Sequence, residues 1–377
     1  MIYTSDARLP RLVLDSAQEL SAMHAELVRL AEMPGAASSP VQHPDWLAYE
    51  LASRGDRAQA HVLLARDDRG RLLGYAPFLI ENHHARIAFG DHRLGVYRGR
   101  VLRLLGSGVV AEPSSRAAAE AAIATLLRAD RGARVLRIQE TTLPNTFVQT
   151  LTGPGQGFTG VSANLLDQVN WTIAPQADAA GWLAGMDSKK RNDLTRRLRN
   201  VYKKLGDGAR LRVFATPAEM DEYCALMNQV YARSWHADAQ AIDWNEPARR
   251  ACFATLAASG RIVGHMLLLG EKPVAYVHGY RLGGRYLLDD TGYDEAFASL
   301  GVGSSLVFQS VQDLMARHPG ETIDFGYGDN QYKRVLATDQ AQCASLYLVR
   351  GPAARLRFAM VGPMRAAYRL ARRLRQK

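Results

Sequence analysis

The stretch 262–325 constrains the fold more than any other part of the chain. Residues 262–269 are an apolar run, Gly270-Glu271-Lys272-Pro273 a turn, 274–281 a second run, Leu282-Gly283-Gly284 a turn and 285–290 a third run. That pattern predicts three strands joined by tight turns. A loop with glycines at 301 and 303 comes next, then helical periodicity from about 304 to 317 and a last strand over 322–325. The final strand–helix–strand step implies parallel pairing inside an otherwise antiparallel sheet. The first half has the same order without the same residues. A short strand over 9–14 and helices over 16–33 and 44–53 precede a hairpin of 61–65 and 72–80 around Arg66-Asp67-Asp68-Arg69-Gly70. Further strands within 90–108, an Ala-rich helix over 114–129 and a strand over 133–139 follow. The expected fold class is α/β (α+β): two tandem, related lobes, each a mixed sheet flanked by helices.

Length and punctuation set the boundaries. At roughly 150 residues per domain, 377 residues suggest two or three units. Between Leu151 and Gly160 there are four Gly and a Pro, which mark a connection. The expected units are 1–165, 166–352 and a basic amphipathic helix over 353–377. In the second unit a long helix over 179–205, a strand over 211–214 and helices over 217–234 and 247–259 lead into the 262–325 block.

Charge is concentrated. The net charge is +10, yet 187–212 carries ten basic against three acidic residues and 355–377 carries eight basic and no acidic ones, so the remainder is net acidic. Such segments attract anions: nucleic acid, anionic lipid, an acidic carrier protein or a nucleotide. Lys189, Arg196, Arg199 and Lys203 fall near one helical face as an anion-binding stripe, and little aromatic interleaving argues against single-strand stacking. In the last segment Leu356, Met360, Met364, Ala367, Ala371 and Leu374 recur at helical spacing between arginines, a pattern suited to an anionic membrane surface or to packing on the body. The three cysteines form no CxxC and no metal-ligand cluster, and Cys224 and Cys252 fall in helices where burial is expected. No metal is expected. The absence of a signal-like start and of a spanning apolar run leads to the expectation of a cytoplasmic protein.

Three motifs can carry chemistry. In Gly301-Val302-Gly303-Ser304-Ser305 two glycines permit close backbone approach, and the helix start presents N–H groups and a positive dipole end to an anion such as a pyrophosphate. The same residues also suit a tight turn with a Ser cap, and they lack the third Gly of a dinucleotide fingerprint. In Asp324-Phe325-Gly326-Tyr327-Gly328-Asp329-Asn330-Gln331-Tyr332-Lys333 two glycines bend the chain after a strand, so that Asp329, Tyr332 and Lys333 stand at the sheet end. A lysine there offers positive charge to a developing oxyanion. In Asp289-Asp290-Thr291-Gly292-Tyr293-Asp294 an acid at a strand end suits general-base work on an amine, or loop capping.

Taken in order, these pieces resemble the FemAB-like branch of the GNAT acyltransferase superfamily, of the CelD-type acetyltransferase domain, best over 186–337. The resemblance rests on Ser188-Lys189-Lys190-Arg191-Asn192, Arg196-Arg197, Ser234-Trp235, Pro273-Val274-Ala275, Gly292-Tyr293-Asp294, the Gly301/Gly303 loop and the Asp324–Lys333 block. It implies two GNAT-like lobes and transfer of an acyl group from acyl-CoA or an acyl carrier protein to a small amine, or, in the Fem branch, from aminoacyl-tRNA. It assigns Gly301, Val302, Gly303, Ser304 and Ser305 to the donor and Trp235, Tyr293 and Asp290 to the substrate. Tyr332-Lys333 matches an aromatic–lysine pair that polarises the acyl carbonyl, a role carried to Lys333, with Tyr332 protonating the leaving group or packing. Asp294 and Asp329 then hold and deprotonate the amine. One departure stands out: Ala298 occupies a position where donor loops usually have Gln or Arg, so the pyrophosphate grip falls to backbone. A binding protein for nucleic acid or another anion on the same fold is the alternative from a different class.

Overall fold

The computed structural model describes residues 12–89, 92–164, 168–235 and 242–375, with backbone alone for 88–89, 92–94, 369 and 371–375. Residues 9–11 of the expected first strand lie outside the described residues. The chain divides into two compact units, one holding the chain up to Gln168 and again from Gln342 onward, the other spanning Val169–Ala341.

The first unit opens with β1 (Val13–Leu14) and helix α1 (Ala17–Ala31). A reciprocal capping box starts α1: the Glu19 N–H donates to Ser16 Oγ at 3.3 Å, and the Ser16 N–H donates to the Glu19 carboxylate at 3.3 Å. Helix α2 (Pro44–Arg54) leads to β2 (Ala58–Arg66), β3 (Leu72–Phe89), β4 (His92–Leu104) and the short β5 (Val110–Ala111). Next come α3 (Arg116–Ala129), β6 (Val135–Thr142), α4 (Thr146–Thr152) and β7 (Phe158–Ser162). β1 through β4 pair antiparallel, whereas β6 joins β4 in parallel at Leu102–Leu104 against Leu136–Ile138. Alternation along these strands sends Phe78, Leu102, Leu104, Leu136 and Ile138 to one face, where Ile123, Ala124 and Leu127 of α3 cover them.

The second unit runs β8 (Gln168–Ile173), α5 (Ala179–Ala184), α6 (Ser188–Leu205), β9 (Ala209–Phe214), α7 (Met220–Tyr231) and α8 (Pro247–Ala258). It continues through β10 (Ile262–Leu269), β11 (Lys272–Leu282), β12 (Arg285–Tyr293), α9 (Val302–Arg317), β13 (Thr322–Tyr327) and α10 (Gln331–Leu336). The single helix expected over 179–205 is two. Asp187 breaks it, because its carboxylate accepts the N–H groups of Lys189 (2.9 Å) and Lys190 (3.1 Å) as the cap of α6. The sheet order is β8-β13-β12-β11-β10-β9, antiparallel except for β12 beside β13. Leu306, Val307, Val311 and Leu314 of α9 fill the space over Val274, Val277, Tyr286, Leu288, Ile323 and Phe325.

The chain then returns to the first unit. From Cys343 on, β14 (Asp339–Arg350) pairs antiparallel with β6 and β7, and α11 (Pro352–Phe358) and α12 (Val361–Arg375) follow. Ala354, Phe358 and Val361 pack on Ala85, Ile87, Val101, Val135 and Tyr347. The structure therefore moves the expected boundary at 352 back to Ala341 and gives 353–375 a place on the first unit. A strand chooses its partners across the whole chain, and Leu348 fills the core over α3, which local periodicity does not reveal.

Candidate functional site

The parallel pairing of β12 with β13 covers only Arg285–Leu287 against Thr322–Asp324, although both strands run on to Tyr293 and Tyr327. Where the pairing stops, a cleft of about 460 Å³ opens, lined by Trp235, Thr291, Tyr293, residues 301–304 and Tyr332 among others. A second cavity of about 170 Å³ shares Ser304, Gln331 and Tyr332 with it and is lined on its other side by Lys190, Leu194 and Arg197 of α6.

The start of α9 forms one wall. Gly301 takes a left-handed conformation (φ 71°) as the cap, and the Ser305 N–H is the first to bond back, to the Gly301 carbonyl at 3.1 Å. Helix geometry leaves the N–H groups of residues 302–304 without intrahelical acceptors, and no side chain caps them. The helix begins two residues before the expected 304 because Gly301 alone supplies the turn. Gly303 then lies inside the first turn, where a Cβ would stand 2.7 Å from Cδ1 of Tyr293. Three N–H groups and the positive dipole end thus stand at the cleft wall, beside the Tyr293 ring that packs on Gly303. Ala298 also lines the cleft and contributes no polar group.

Tyr332 forms the opposite wall and lines both cavities. Its ring stands edge-on to Phe325, 6.1 Å between centroids. Burial, helped by the Asp290 carboxylate, pushes its phenol up to about 12, so it stays protonated at neutral pH. Asp290 itself accepts from the Tyr276 hydroxyl at 2.8 Å and from the Thr291 N–H at 2.9 Å, which makes it a buttress beneath the cleft. Trp235 is 55 % exposed at the rim.

Three of the expected catalytic residues are placed otherwise than the sequence suggests. Lys333 is buried, and its Nζ donates to the carbonyls of Tyr327 (2.8 Å) and Gly326 (3.4 Å), holding the turn that follows β13; it lines neither cavity. Asp294 is buried against Arg233 Nε (2.8 Å) and Lys272 Nζ (3.2 Å) and accepts the Ala296 N–H. Burial alone would raise its carboxyl, yet the Ala296 N–H and the two cations hold it below the ordinary value. Asp329 is exposed and gripped by Arg334, whose hydrogen bonds likewise keep it low. Carboxylates fixed in the charged form by cations are poor bases, and neither of these faces the cleft.

The basic helix also divides. Lys189, Arg196 and Arg199 lie on the exposed side of α6, where Arg196 pairs with Asp193 at 2.6 Å. Lining the smaller cavity are Asp193, whose carboxylate pairs with Arg197 at 2.6 Å, and two cations, Lys190 and Arg197. They flank Leu194 at helical spacing, on the side whose Leu194, Leu198 and Val201 pack into the core; following that apolar stripe identifies them from sequence.

The family model of the acetyltransferase (GNAT) domain matches residues 188–334, which span α6, the cleft and Tyr332-Lys333. No curated protein sequence matches. Among solved structures, FemX superposes with a TM-score of 0.58 at 11% identity, covering 86% of this chain and 95% of that one. L-PGS from Bacillus licheniformis gives 0.51 at 12% (95% and 97%), and a tandem GNAT protein from the clavulanic acid biosynthesis pathway 0.50 at 12% (90% and 98%). At such identities the likeness is one of fold. Strand divergence, uncapped helix start and matched segment coincide: residues 188–334 carry a GNAT acetyltransferase domain, in a chain that shares its fold with FemX and a tandem GNAT protein.

Proposed function

We propose that the cleft transfers an acyl group from a thioester donor bearing a pyrophosphate, acyl-CoA in the first instance, to a small primary amine. The observation that carries this reading is the uncapped start of α9, with its N–H groups at 302–304 turned to a cleft whose far wall is the neutral phenol of Tyr332. A pyrophosphate suits the free N–H groups of the helix start without a side-chain clamp, and Gly303 lets the Tyr293 ring pack against that first turn. The donor supplies the activated carbonyl.

The chain's own residues do the rest. The helix start binds the anion, and Tyr293, packed on Gly303, fixes the wall along which the acyl arm runs. The amine attacks the carbonyl, the tetrahedral adduct collapses, the carbon–sulfur bond breaks, and the Tyr332 hydroxyl gives its proton to the departing thiolate. The described lining of the larger cleft holds no carboxylate or imidazole, so the amine enters as its free base, the adduct nitrogen gives up its proton to solvent, and the Tyr332 phenolate recovers a proton from solvent to complete the cycle. Lys333 acts as a positioning residue through the turn after β13.

A second reading has specific support. Lys190 and Arg197 line the smaller cavity and further basic residues lie outside on α6, which suits a polyanionic donor such as aminoacyl-tRNA. FemX and L-PGS share the fold. The deciding experiment incubates the protein with a panel of acyl-CoA thioesters and amines and follows thiol release and product mass. Thiol release dependent on the amine supports the thioester reading. Activity seen only with aminoacyl-tRNA, destroyed by RNase and falling steeply with salt, transfers the assignment to the second.

A further inference from the structure

We propose that α11 and α12 form a docking surface for an anionic lipid bilayer. The apolar spacing of this segment suggests one stripe; the structure has two. Ala354, Phe358 and Val361 face inward onto the first unit's sheet, with Tyr368 packed against them. The other set faces solvent: Leu356 is 76% exposed, Met360 62% and Leu370 60%. These are three of the six large apolar side chains exposed among the described residues, all within fifteen positions of one another. Long aliphatic side chains exposed in so short a segment mark a contact site.

Charge selects the partner. From 355 to 377 there are eight basic and no acidic residues. Arg357 stands over the Tyr97 ring at 5.8 Å, and Arg355 and Arg365 line a cavity of about 380 Å³ together with Ser162, Phe358 and Val361. Cationic at its edge and apolar at its floor, that cavity suits a phosphodiester headgroup with the start of its chains. A second copy of the protein would bring the same sign of charge and be repelled. Nucleic-acid backbones are met by the arginines alone, whereas an interfacial helix requires exposed aliphatic and cationic side chains together. No described helix is long and apolar enough to cross a membrane, so the segment lies along the surface. This inference does not depend on what the cleft transfers.

The test is flotation of the whole protein with vesicles of phosphatidylcholine alone and of phosphatidylcholine with phosphatidylglycerol. The protein is expected to float with the anionic vesicles only. Replacing the exposed residues together (Leu356→Ser, Met360→Ser, Leu370→Ser) leaves the melting temperature unchanged and weakens binding roughly tenfold or more. Arg357→Gln and Arg365→Gln each weaken it by about fivefold. A wild-type protein that floats equally with neutral vesicles, or with neither kind, overturns the proposal. So does full binding by the triple serine variant, or tRNA binding through the same arginines with no vesicle binding.

Discussion

Cδ1 of Tyr293 lies 2.7 Å from the position a Cβ on Gly303 would occupy, so the ring on β12 and the first turn of α9 are in contact only because residue 303 has no side chain. Gly303→Ala must move either the ring or the helix start. Overpacking of this kind costs about 1–3 kcal/mol, and here it falls on the donor wall. The expected outcome is a KM for the donor raised about tenfold or more, with a melting temperature only a few degrees lower. Donor titration by calorimetry together with a thermal melt checks it; unchanged donor affinity would remove residues 302–304 from the site.

Tyr332→Phe removes the hydroxyl and keeps the ring on Phe325. If the phenol protonates the leaving group, kcat falls roughly 10²–10⁴-fold and KM for the donor stays constant. In the wild-type enzyme this limb of the pH profile, set by a phenol held up to about 12 by burial and Asp290, lies beyond the usual assay range, so activity does not decline on its account up to about pH 10. A loss confined to KM, or an unchanged kcat in the phenylalanine variant, assigns Tyr332 to packing.

The element order of the second unit was readable because apolar runs, turn residues and helical periodicity are local signals, and β10 to β13 obey them. The glycine motif was readable for the same reason: a left-handed cap needs Gly at 301. What escaped was decided across the chain. Asp294 looks like a loop acid until Arg233, 61 residues earlier, reaches it. Lys333 looks exposed until Gly326 (φ 65°) and Gly328 (φ 99°) curl the chain so that two carbonyls meet its ammonium. Which stripe of the last helices faces inward depends on β3, β4 and β6, which lie more than 200 residues earlier, as well as on the neighbouring β14, and local periodicity does not encode that choice.

Lys333→Met tests whether the lysine acts on substrate or on the backbone. Its ammonium bonds two carbonyls inside the protein, and leaving them without a donor costs about 1–3 kcal/mol each at most. A positioning residue therefore loses stability and kcat together, and Lys333→Arg restores part of both. Loss of kcat with an unchanged denaturation midpoint would instead return the ammonium to direct contact with the reacting carbonyl.

His278 supplies a prediction about acid. Its ring is fully buried, stacked 4.7 Å from Phe253 with Trp244 and Tyr280 edge-on, and burial, with Arg249 second, lowers its pKa to about 3. A folded-state value below the unfolded one means that the unfolded chain takes up the proton first. Stability is then fully present above about pH 6.5 and is lost progressively as pH falls toward about 3, with a slope of about 1.4 kcal/mol per pH unit from this group. His83 in the first unit, lowered to about 4 by burial and by Arg137, adds a similar slope over the upper part of that window. His278→Phe keeps the aromatic packing and removes the titration. Denaturant midpoints measured between about pH 7 and pH 4 should fall less steeply for the variant, by the equivalent of one proton. Identical slopes in the two proteins would mean that the ring already carries its proton in the folded state, in conflict with its apolar surroundings.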